Sequence, residues 1–459
     1  MEKIELSNVP PEKKKHGGMG VRHFQAGLVF FGLVVSYIQR LNLSVAVVGM
    51  MTSKKNRVDL TPETKALVLS GMFWGYSVLQ VPAGAIGRRG YAVKLFAIGN
   101  FASGAISLLI PLAAQEFGYV GIFVLRFILG ILQGSIYPNM SNLMANWAIP
   151  QEKEPMLCIV QSGVMFGSLI SMTLSGYVGY HYDWPSIFYV SGLIGTIGGI
   201  IQYFLGADGP DSCKSISEEE RDYMRICFQA DNKEVQQKRG DVPWKKILTS
   251  GPVIALTITM WCACWCTWTI ITLTPTYING VLRFNLQDDG LLSSLPYLCC
   301  CITSISLTFI SGMLKRKTSI SESFLRPFWN SLAMYGVGAS LLVLAYAPVT
   351  TTLAVGMLTT AVGINAAGYL GHGVNILDLS PNYAGVIMSI SNSVANIASL
   401  LGPLISTYLI KDTSDPNEWR IVFTTSAMIS FIGNTIFVFW STTEKQPWDE
   451  ESRRSSKVA

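Results

Sequence analysis

The chain has 459 residues, of which 50% are hydrophobic and only 14% are charged. Together with a mean hydropathy of +0.38, this composition excludes an ordinary soluble protein and indicates many membrane-spanning helices. The net charge of +5 is modest, so the distribution of charge along the chain is more informative than its sum.

The amino-terminal stretch MEKIELSNVPPEKKKHGG is polar and basic, without the apolar core and cleavage site of a signal peptide. We therefore expect the first apolar run to direct its own insertion. Apolar runs of about 20 residues, the length that crosses a bilayer as a helix, predict twelve spans. They cover residues 24–50, 66–87, 95–115, 119–147, 156–180, 186–206, 251–279, 290–313, 326–346, 350–374, 384–410 and 420–440.

A charged stretch divides the twelve spans into two sets of six. Its SISEEERDYMRICF portion predicts an amphipathic helix capped by Ser217. Basic turns recur after the second and eighth spans, as GAIGRRGYAVK and GMLKRKTS, which favours two parallel repeats of six helices. We predict an all-α membrane protein with two pseudo-symmetric halves. Its segments are a tail at 1–23, a first bundle at 24–206, a linker at 207–249, a second bundle at 250–440 and a tail at 441–459.

Lysine and arginine are unevenly distributed between the two sides of this topology. Of the 34 such residues, 25 fall on the side of the tails and the linker, and 7 fall in the opposite loops. Because cytosolic segments carry the excess of positive charge, both termini are predicted to be cytosolic. The pattern fits a plasma membrane and a vesicle or lysosome membrane equally.

Two arginines, Arg40 and Arg126, lie in the middle of the first and fourth apolar runs. An arginine at the centre of a bilayer costs roughly 2.5–3.5 kcal/mol on insertion scales, and it keeps its proton. Such a residue faces the interior of a bundle, where it binds an anion or is bonded structurally to backbone carbonyls or a carboxylate. We favour an anion-binding cavity between the helices.

Other polar side chains follow helical spacing on the first, fourth, tenth and eleventh spans. In a bundle of two repeats, the first and fourth spans of each half face the middle. The candidate substrate-binding residues are Tyr37, Arg40, Arg126, Gln133, Tyr137, Asn365, Tyr369 and His372, and the weaker candidates for a cation site are Ser389, Asn392 and Asn396.

The chain lacks the chemical motifs of an enzyme or an ATPase. It has no G-x-x-x-x-G-K-[ST] run and no H-E-x-x-H or G-x-S-x-G motif. Cys262 and Cys266 lie one helical turn apart but have no His or carboxylate beside them, so no metal site is predicted. We expect a carrier whose partners are a small anionic solute and the lipid bilayer, with no nucleic acid and no obligate protein partner.

Several longer segments resemble one family of carriers. They are SYIQRLNLSVAVV at 36–48, GYSVLQVPAGAIGRRGYAVK at 75–94, RFILGILQGSIYP at 126–138, VNILDLSPNYAGVIMSISN at 374–392 and EKQPWDEE at 444–451. The chain is similar here to the anion–cation symporters of the major facilitator superfamily. That family includes sialic acid and vesicular glutamate transporters, and the resemblance is closest to its inorganic phosphate cotransporters.

The resemblance implies alternating access between two six-helix halves, with Arg40 and Arg126 binding the anion and Arg126 the stronger candidate. Proton-coupled members carry a glutamate where this chain has Gln133, and a glutamine takes up no proton. The resemblance therefore implies sodium-driven phosphate cotransport, with no cofactor besides the coupling Na⁺. The alternatives are an organic-anion carrier for sialic acid or acidic amino acids, with or without proton coupling, and a non-transporting receptor on a transporter scaffold.

Overall fold

The structure is a computed structural model that describes residues 18–53, 55–230, 241–281, 290–317, 320–348 and 350–450. All regular secondary structure within these ranges is helical. Ten continuous stretches of the described chain are long and apolar enough to cross a membrane. One of them, Glu63–Trp147, has 85 residues and reverses direction twice, so the ten stretches correspond to the twelve predicted passes.

The helices follow the predicted spans closely. The first half contains α1 (Val21–Thr52), α2 (Pro62–Ile86), α3 (Ala92–Gln133), α4 (Ile136–Trp147), α5 (Lys153–Tyr182) and α6 (Trp184–Leu205). The linker contains α7 (Glu218–Ala230) and α8 (Trp244–Leu248). The second half contains α9 (Gly251–Gly280), α10 (Gly290–Lys317), α11 (Glu322–Tyr346), α12 (Thr351–Ile364), α13 (Val374–Leu379), α14 (Ala384–Leu409) and α15 (Pro416–Trp440). The predicted fold class is confirmed.

Glycines make the two reversals within Glu63–Trp147. Gly118, between the third and fourth passes, has φ 57° and ψ −140°. Gly90 has φ 92° and lies in the π-helical turn Gly87–Tyr91, between the second and third passes. Residues with a Cβ rarely adopt these angles, so glycine is required at both turns.

The fourth and tenth passes are interrupted near their middle. The fourth breaks between α3 and α4, where the N–H of Ser135 donates to the carbonyl of Leu132 at 3.3 Å. The tenth breaks after α12 and continues through a π-helical turn, Tyr369–Gly373, into α13. Because the breaks occupy corresponding positions in the two halves, they support the pseudo-symmetry and leave irregular backbone where two repeats face each other.

Small residues allow the helices to pack closely. Gly163 and Gly167 on α5 lie against α1, where an added Cβ would lie 2.8 Å from the carbonyl oxygen of Phe30 and 2.6 Å from that of Val34. Gly130 on α3 lies equally close to α2, since a Cβ added there would lie 2.1 Å from the carbonyl oxygen of Met72. These contacts fix the relative positions of α1, α2, α3 and α5, which carry many of the polar residues discussed below.

The two halves touch most closely at the end of the bundle where α1 begins and α15 ends, which we call the terminal end. A Cβ on Gly84 of α2 would lie 2.5 Å from the carbonyl oxygen of Gly385 on α14. Asn142 on α4 donates a hydrogen bond to the carbonyl of Gly84 at 3.1 Å. The backbones of the two halves are therefore in direct contact at the terminal end.

Five charged residues, which we call the inter-half charge cluster, hold this end together. Arg326 on α11 donates to Glu154 on α5 at 2.6 Å and to Asp378 on α13 at 2.7 Å. Lys315 pairs with Glu154 at 2.5 Å, and Lys153 pairs with Asp378 at 2.5 Å. Arg326 and Asp378 are 0% and 1% exposed. Loss of one partner would leave a buried charge uncompensated, so the cluster strongly couples the two halves.

The linker and the carboxyl-terminal segment also dock at the terminal end. Ser217 caps α7, because its Oγ accepts from the N–H of Glu220 at 3.2 Å, and this prediction is confirmed. Arg22 at the start of α1 binds Glu220 at 3.0 Å. After α15, the N–H of Gln446 donates to the carbonyl of Leu379 at 2.9 Å, and Asp449 accepts from the N–H of Asn382 at 3.1 Å. Residues 446–449 of the EKQPWDEE segment thus pack beside α13 and the turn that leads to α14.

Candidate functional site

A cavity lies between the two halves. Its described lining comes from α1, α2, α4 and α5 of the first half. In the second half it comes from α9, α13, α14 and the segment between α12 and α13. Six of the eight predicted substrate-binding residues line it: Tyr37, Arg40, Tyr137, Asn365, Tyr369 and His372. Among the described residues that line the cavity, Arg40 is the one formally charged side chain, and there is no carboxylate.

Arg40 carries a positive charge into the cavity wall with few partners. It is 7% exposed, and its guanidinium carbon lies 4.7 Å from the ring centre of Tyr37 and 4.5 Å from that of Tyr76. Its Nε donates to Gln133 Oε1 and its Nη1 to the Tyr37 hydroxyl, both at 3.4 Å. Nη2 has no hydrogen-bond partner in the described chain. Aromatic faces offset part of the desolvation cost, but a guanidinium in this setting is suited to binding an anion.

Arg126 has a different environment and does not line the cavity. It is 3% exposed, and its Nη2 donates to the carbonyl of Arg40 at 2.9 Å. Its Nη1 donates to the carbonyl of Gln39 at 3.1 Å and to Asn42 Oδ1 at 3.3 Å. In this conformation Arg126 therefore binds the backbone of α1, as in the structural alternative considered for a buried arginine. Its binding of substrate stays a prediction.

Gln133 is fully buried behind Arg40 and does not line the cavity. Its Oε1 accepts from Arg40 Nε at 3.4 Å and from Ser36 Oγ at 3.3 Å, and its Nε2 donates to the carbonyl of Ser36 at 3.3 Å. The amide orients the guanidinium without neutralising it. A carboxylate at this position would instead lie within pairing distance of Arg40.

Tyrosine hydroxyls form the polar surface beside Arg40. The hydroxyl groups of Tyr37 and Tyr137 lie 3.1 Å apart, which joins α1 to α4. Tyr369, in the π-helical turn of the second half, lines the same cavity. These side chains offer both donors and acceptors to an anion bound at Arg40.

The predicted substrate-binding residues of the second half lie at the broken tenth pass. Asn365 donates to Thr267 Oγ1 on α9 at 3.2 Å. His372 places its Nδ1 2.7 Å from Asn330 Oδ1 on α11. Both residues line the cavity, because the break after α12 turns this part of the chain towards the first half.

The three predicted cation ligands do not form one group. Asn392 and Asn396 line the cavity and donate to α2, Asn392 to Gln80 Oε1 at 3.0 Å and Asn396 to the carbonyl of Phe73 at 2.8 Å. Ser389 is 0% exposed and donates to the carbonyl of Val386 at 2.7 Å. The part of the chain that the structure describes holds no cluster of three His, Cys, Asp or Glu residues able to bind a metal.

Sequence reasoning missed the second pass as a wall of the cavity. Phe73 and Tyr76 line it, and the Phe73 ring lies 5.1 Å from that of Trp268 on α9. Tyr76 and Gln80 are four residues apart in an apolar run, so they share a helix face. The spacing of these two polar residues could have indicated that the second pass faces the cavity.

Comparison with known proteins agrees with the fold. The family model described as Major Facilitator Superfamily matches residues 29–371 and 326–458. A Drosophila melanogaster protein named "Putative inorganic phosphate cotransporter" is 31% identical over 478 residues, covering 98% of this chain and 90% of that protein. Human sialin is 31% identical, with 93% of this chain and 90% of sialin covered. Human vesicular glutamate transporter 2 is 29% identical, with 96% and 77% covered.

Solved structures support the same architecture. The crystal structure of the fucose:proton symporter of E. coli superposes with a TM-score of 0.64 at 11% identity, covering 91% of this chain and 99% of that chain. This likeness concerns the fold alone. The family is shown by the family model and by the relatives that match almost the whole chain. The chain belongs to the major facilitator superfamily, in the group that contains the phosphate cotransporters, the sialins and the vesicular glutamate transporters.

Proposed function

We propose that the protein is a secondary active carrier of a small anion, which binds at Arg40 and crosses the membrane by alternating access. One observation carries the proposal. A buried guanidinium with an unpartnered Nη2 lines a cavity between two halves, and the described lining contains no carboxylate to neutralise it. An incoming anion would supply the missing charge and acceptor atoms.

Sodium-driven transport of inorganic phosphate is our first candidate. It is supported by the name of the Drosophila melanogaster relative, a phosphate cotransporter, and by the neutral Gln133 beside Arg40. A glutamine offers no proton site at physiological pH. Sodium would take oxygen ligands, and the side-chain oxygens of Asn392 and Asn396 at the cavity are candidates.

An organic anion is the second candidate, because of the aromatic residues that line the cavity. Phe73 and Trp268 give it an aromatic wall on which the apolar part of a larger substrate would pack. Sialic acid and acidic amino acids are the organic anions to test first.

Reconstitution separates these candidates. The purified full-length protein in proteoliposomes should take up at least one of labelled phosphate, glutamate and sialic acid. Each anion is tested with and without an inward sodium gradient and an inward proton gradient. We expect uptake that depends on sodium and gains nothing from a proton gradient once phosphate speciation is corrected for.

Two other outcomes would redirect the proposal. Uptake that follows the proton gradient in sodium-free medium would contradict sodium coupling and favour the organic-anion carrier. Binding of an anion without flux of any of the three would favour a receptor on a transporter scaffold.

A further inference from the structure

His372 lines the cavity, but one of its ring nitrogens is hydrogen-bonded to a residue outside the cavity. His372 lines the cavity, and its Nδ1 lies 2.7 Å from Asn330 Oδ1 on α11. Asn330 is 0% exposed and is not part of the lining. The hydrogen bond at one ring nitrogen decides which nitrogen of a histidine carries the proton, so Asn330 controls what His372 presents to a substrate.

The neighbours of Asn330 satisfy its amide in the orientation that the structure shows. Its Nδ2 donates to Asn434 Oδ1 at 2.7 Å and lies 3.5 Å from Met334 Sδ. A carbonyl oxygen and a thioether sulfur accept hydrogen bonds and do not donate them. Asn434 Nδ2 donates onward to Ser331 Oγ at 2.9 Å. In this orientation Asn330 Oδ1 faces His372, and as an acceptor it requires the proton of the neutral imidazole to be on Nδ1.

A neutral imidazole protonated on Nδ1 leaves a bare lone pair on Nε2. In the described part of the chain Nε2 has no hydrogen-bond partner, and it is not among the fully buried polar atoms. Gly368 packs against the ring, because a Cβ there would lie 2.7 Å from His372 Cε1. The ring is thus held in place, with Nε2 open to the cavity as an acceptor.

This acceptor complements Arg40, whose guanidinium only donates. A guanidinium only donates, and the tyrosine hydroxyls beside it can either donate or accept. These groups can therefore bind equally well an anion that carries a hydrogen and one of the same shape that does not. Hydrogen phosphate and sulfate show the difference, because both are tetrahedral dianions and only hydrogen phosphate has an O–H group. A hydrogen-bond acceptor in the site favours hydrogen phosphate and repels the oxygen lone pairs of sulfate.

We propose that His372 Nε2 accepts a hydrogen bond from the substrate and so determines specificity for anions that carry an O–H or N–H donor. The inference rests on the proposed function and adds a substrate class to it. Hydrogen phosphate is preferred to sulfate, and hydroxy or amino acids to analogues without the donor. A polar site rejects an analogue that leaves its buried group unpaired, and one such hydrogen bond corresponds to a preference of about tenfold.

The test measures preference within matched pairs and does not require flux. The purified full-length protein is titrated with phosphate and sulfate, and in parallel with 3-hydroxybutyrate and butyrate, at pH 7.4. The concentration that gives half-maximal thermal stabilisation is recorded for each anion. We expect the donor-bearing anion to act at about tenfold lower concentration than its partner in at least one pair. A wild-type protein without preference in either pair overturns the proposal.

Three variants assign the preference to His372. His372→Phe keeps an aromatic ring but removes the acceptor, so the ratio within the pair should fall to about one. His372→Gln retains an acceptor oxygen and should keep most of the ratio. Ser168→Ala is the control, because Ser168 lines the cavity but its Oγ is bonded to the carbonyl of Val164 at 2.8 Å. Its ratio should equal the wild-type ratio.

An unchanged ratio in His372→Phe would overturn the proposal. If His372→Phe does not fold, Asn330→Leu is tested instead. This variant removes the hydrogen bond that fixes the tautomer but keeps the imidazole ring. An unchanged ratio in Asn330→Leu would also overturn the proposal. Failure of the proposed function is a separate result. It would appear as absent flux in proteoliposomes, whatever the binding ratios are.

Discussion

Arg40 and Arg126 are chemically identical, but the structure gives them different partners. Arg126 donates three hydrogen bonds to α1 at 2.9–3.3 Å. Arg40 makes two longer hydrogen bonds at 3.4 Å, and its Nη2 is buried without a hydrogen-bond partner in the described chain. The two residues should therefore respond differently to substitution. Arg40 should act mainly in anion binding, and Arg126 should also contribute to the folding of the first half.

We predict that Arg126→Ala abolishes uptake and lowers the thermal unfolding temperature. Hydrogen bonds to a charged group contribute about 1.5–3 kcal/mol each, and the variant leaves carbonyl groups of Gln39 and Arg40 without these donors. Arg126→Lys should also transport poorly, because an ammonium group cannot reproduce the planar guanidinium fork. Uptake and unfolding temperature are measured side by side, with Arg40→Ala as the comparison that loses uptake with less loss of stability. Near-normal transport by Arg126→Ala would contradict both roles.

Gln133→Glu should weaken anion binding at neutral pH. The new carboxylate would lie about where Oε1 now lies, 3.4 Å from Arg40 Nε, and would compete with the anion for the guanidinium. The loss should ease as the pH falls, because the carboxyl group then takes up a proton. Gln133→Ala is the control, since it removes the same oxygen without adding a charge. Equal affinity of Gln133→Glu and wild type across pH 5.5–8 would refute the competition.

Helical spacing in the sequence predicted many of the polar residues that line the cavity, because a lone polar residue in an apolar run is conspicuous. The partners of Arg126 could not be predicted in this way. They depend on how closely α3 approaches α1, and the donated bonds go to backbone carbonyls that every residue has. The fixed tautomer of His372 depends similarly on Asn330 and Asn434, which are 104 positions apart in the chain.

Among the structural elements, the broken fourth and tenth passes explain why the cavity is polar in the middle of the bundle. The sequence predicted both passes as continuous helices, since apolar composition does not reveal a π-helical turn. The inter-half charge cluster was also not predicted. Its members come from four separate places in the chain, since Lys153 and Glu154 are adjacent. The packing of α5 against α10 and α13 brings them together.

Arg326→Gln should favour conformations that are open at the terminal end. Breaking a buried ion pair by removing one partner costs about 3–5 kcal/mol. The conformation that is closed at the terminal end contains this pair, so the substitution destabilises it relative to the open one. Cys158 is a built-in reporter, because it is 1% exposed and lies one turn from Glu154 on α5. Its labelling by a water-soluble maleimide should become faster relative to that of Cys266.

The control for this experiment is Arg225→Gln. Arg225 pairs with Asp211 at 2.7 Å in the linker, outside the inter-half charge cluster, so the labelling ratio should stay at the wild-type value. Equal labelling of Cys158 in Arg326→Gln and wild type would show that the cluster does not hold the terminal end closed.

For the whole molecule, the arrangement of the passes was predictable because bilayer thickness sets helix length and because each apolar run is separated by polar turns. The structure places the beginning of α1 and the end of α15 at one end of the bundle, as an even number of passes requires. Which end faces the cytosol rests on the distribution of lysine and arginine, and it stays a prediction.

Epitope tags test the orientation directly. Tags at residues 2 and 455 should be hidden from antibody in intact cells and become visible after permeabilisation, because 25 of the 34 lysines and arginines lie on that side. A tag in the loop between α1 and α2 should behave in the opposite way if the protein is at the cell surface. Labelling of either terminal tag in intact cells would reverse the topology.

The most direct test of anion transport through the central cavity is counterflow in proteoliposomes, with wild type and Arg40→Ala compared at equal reconstitution. Vesicles preloaded with unlabelled phosphate, glutamate or sialic acid are diluted into a trace of the same labelled anion. We predict transient accumulation of label for at least one anion by the wild-type protein and none by Arg40→Ala. Accumulation by Arg40→Ala that matches the wild type would contradict the assignment of Arg40 as the anion-binding residue.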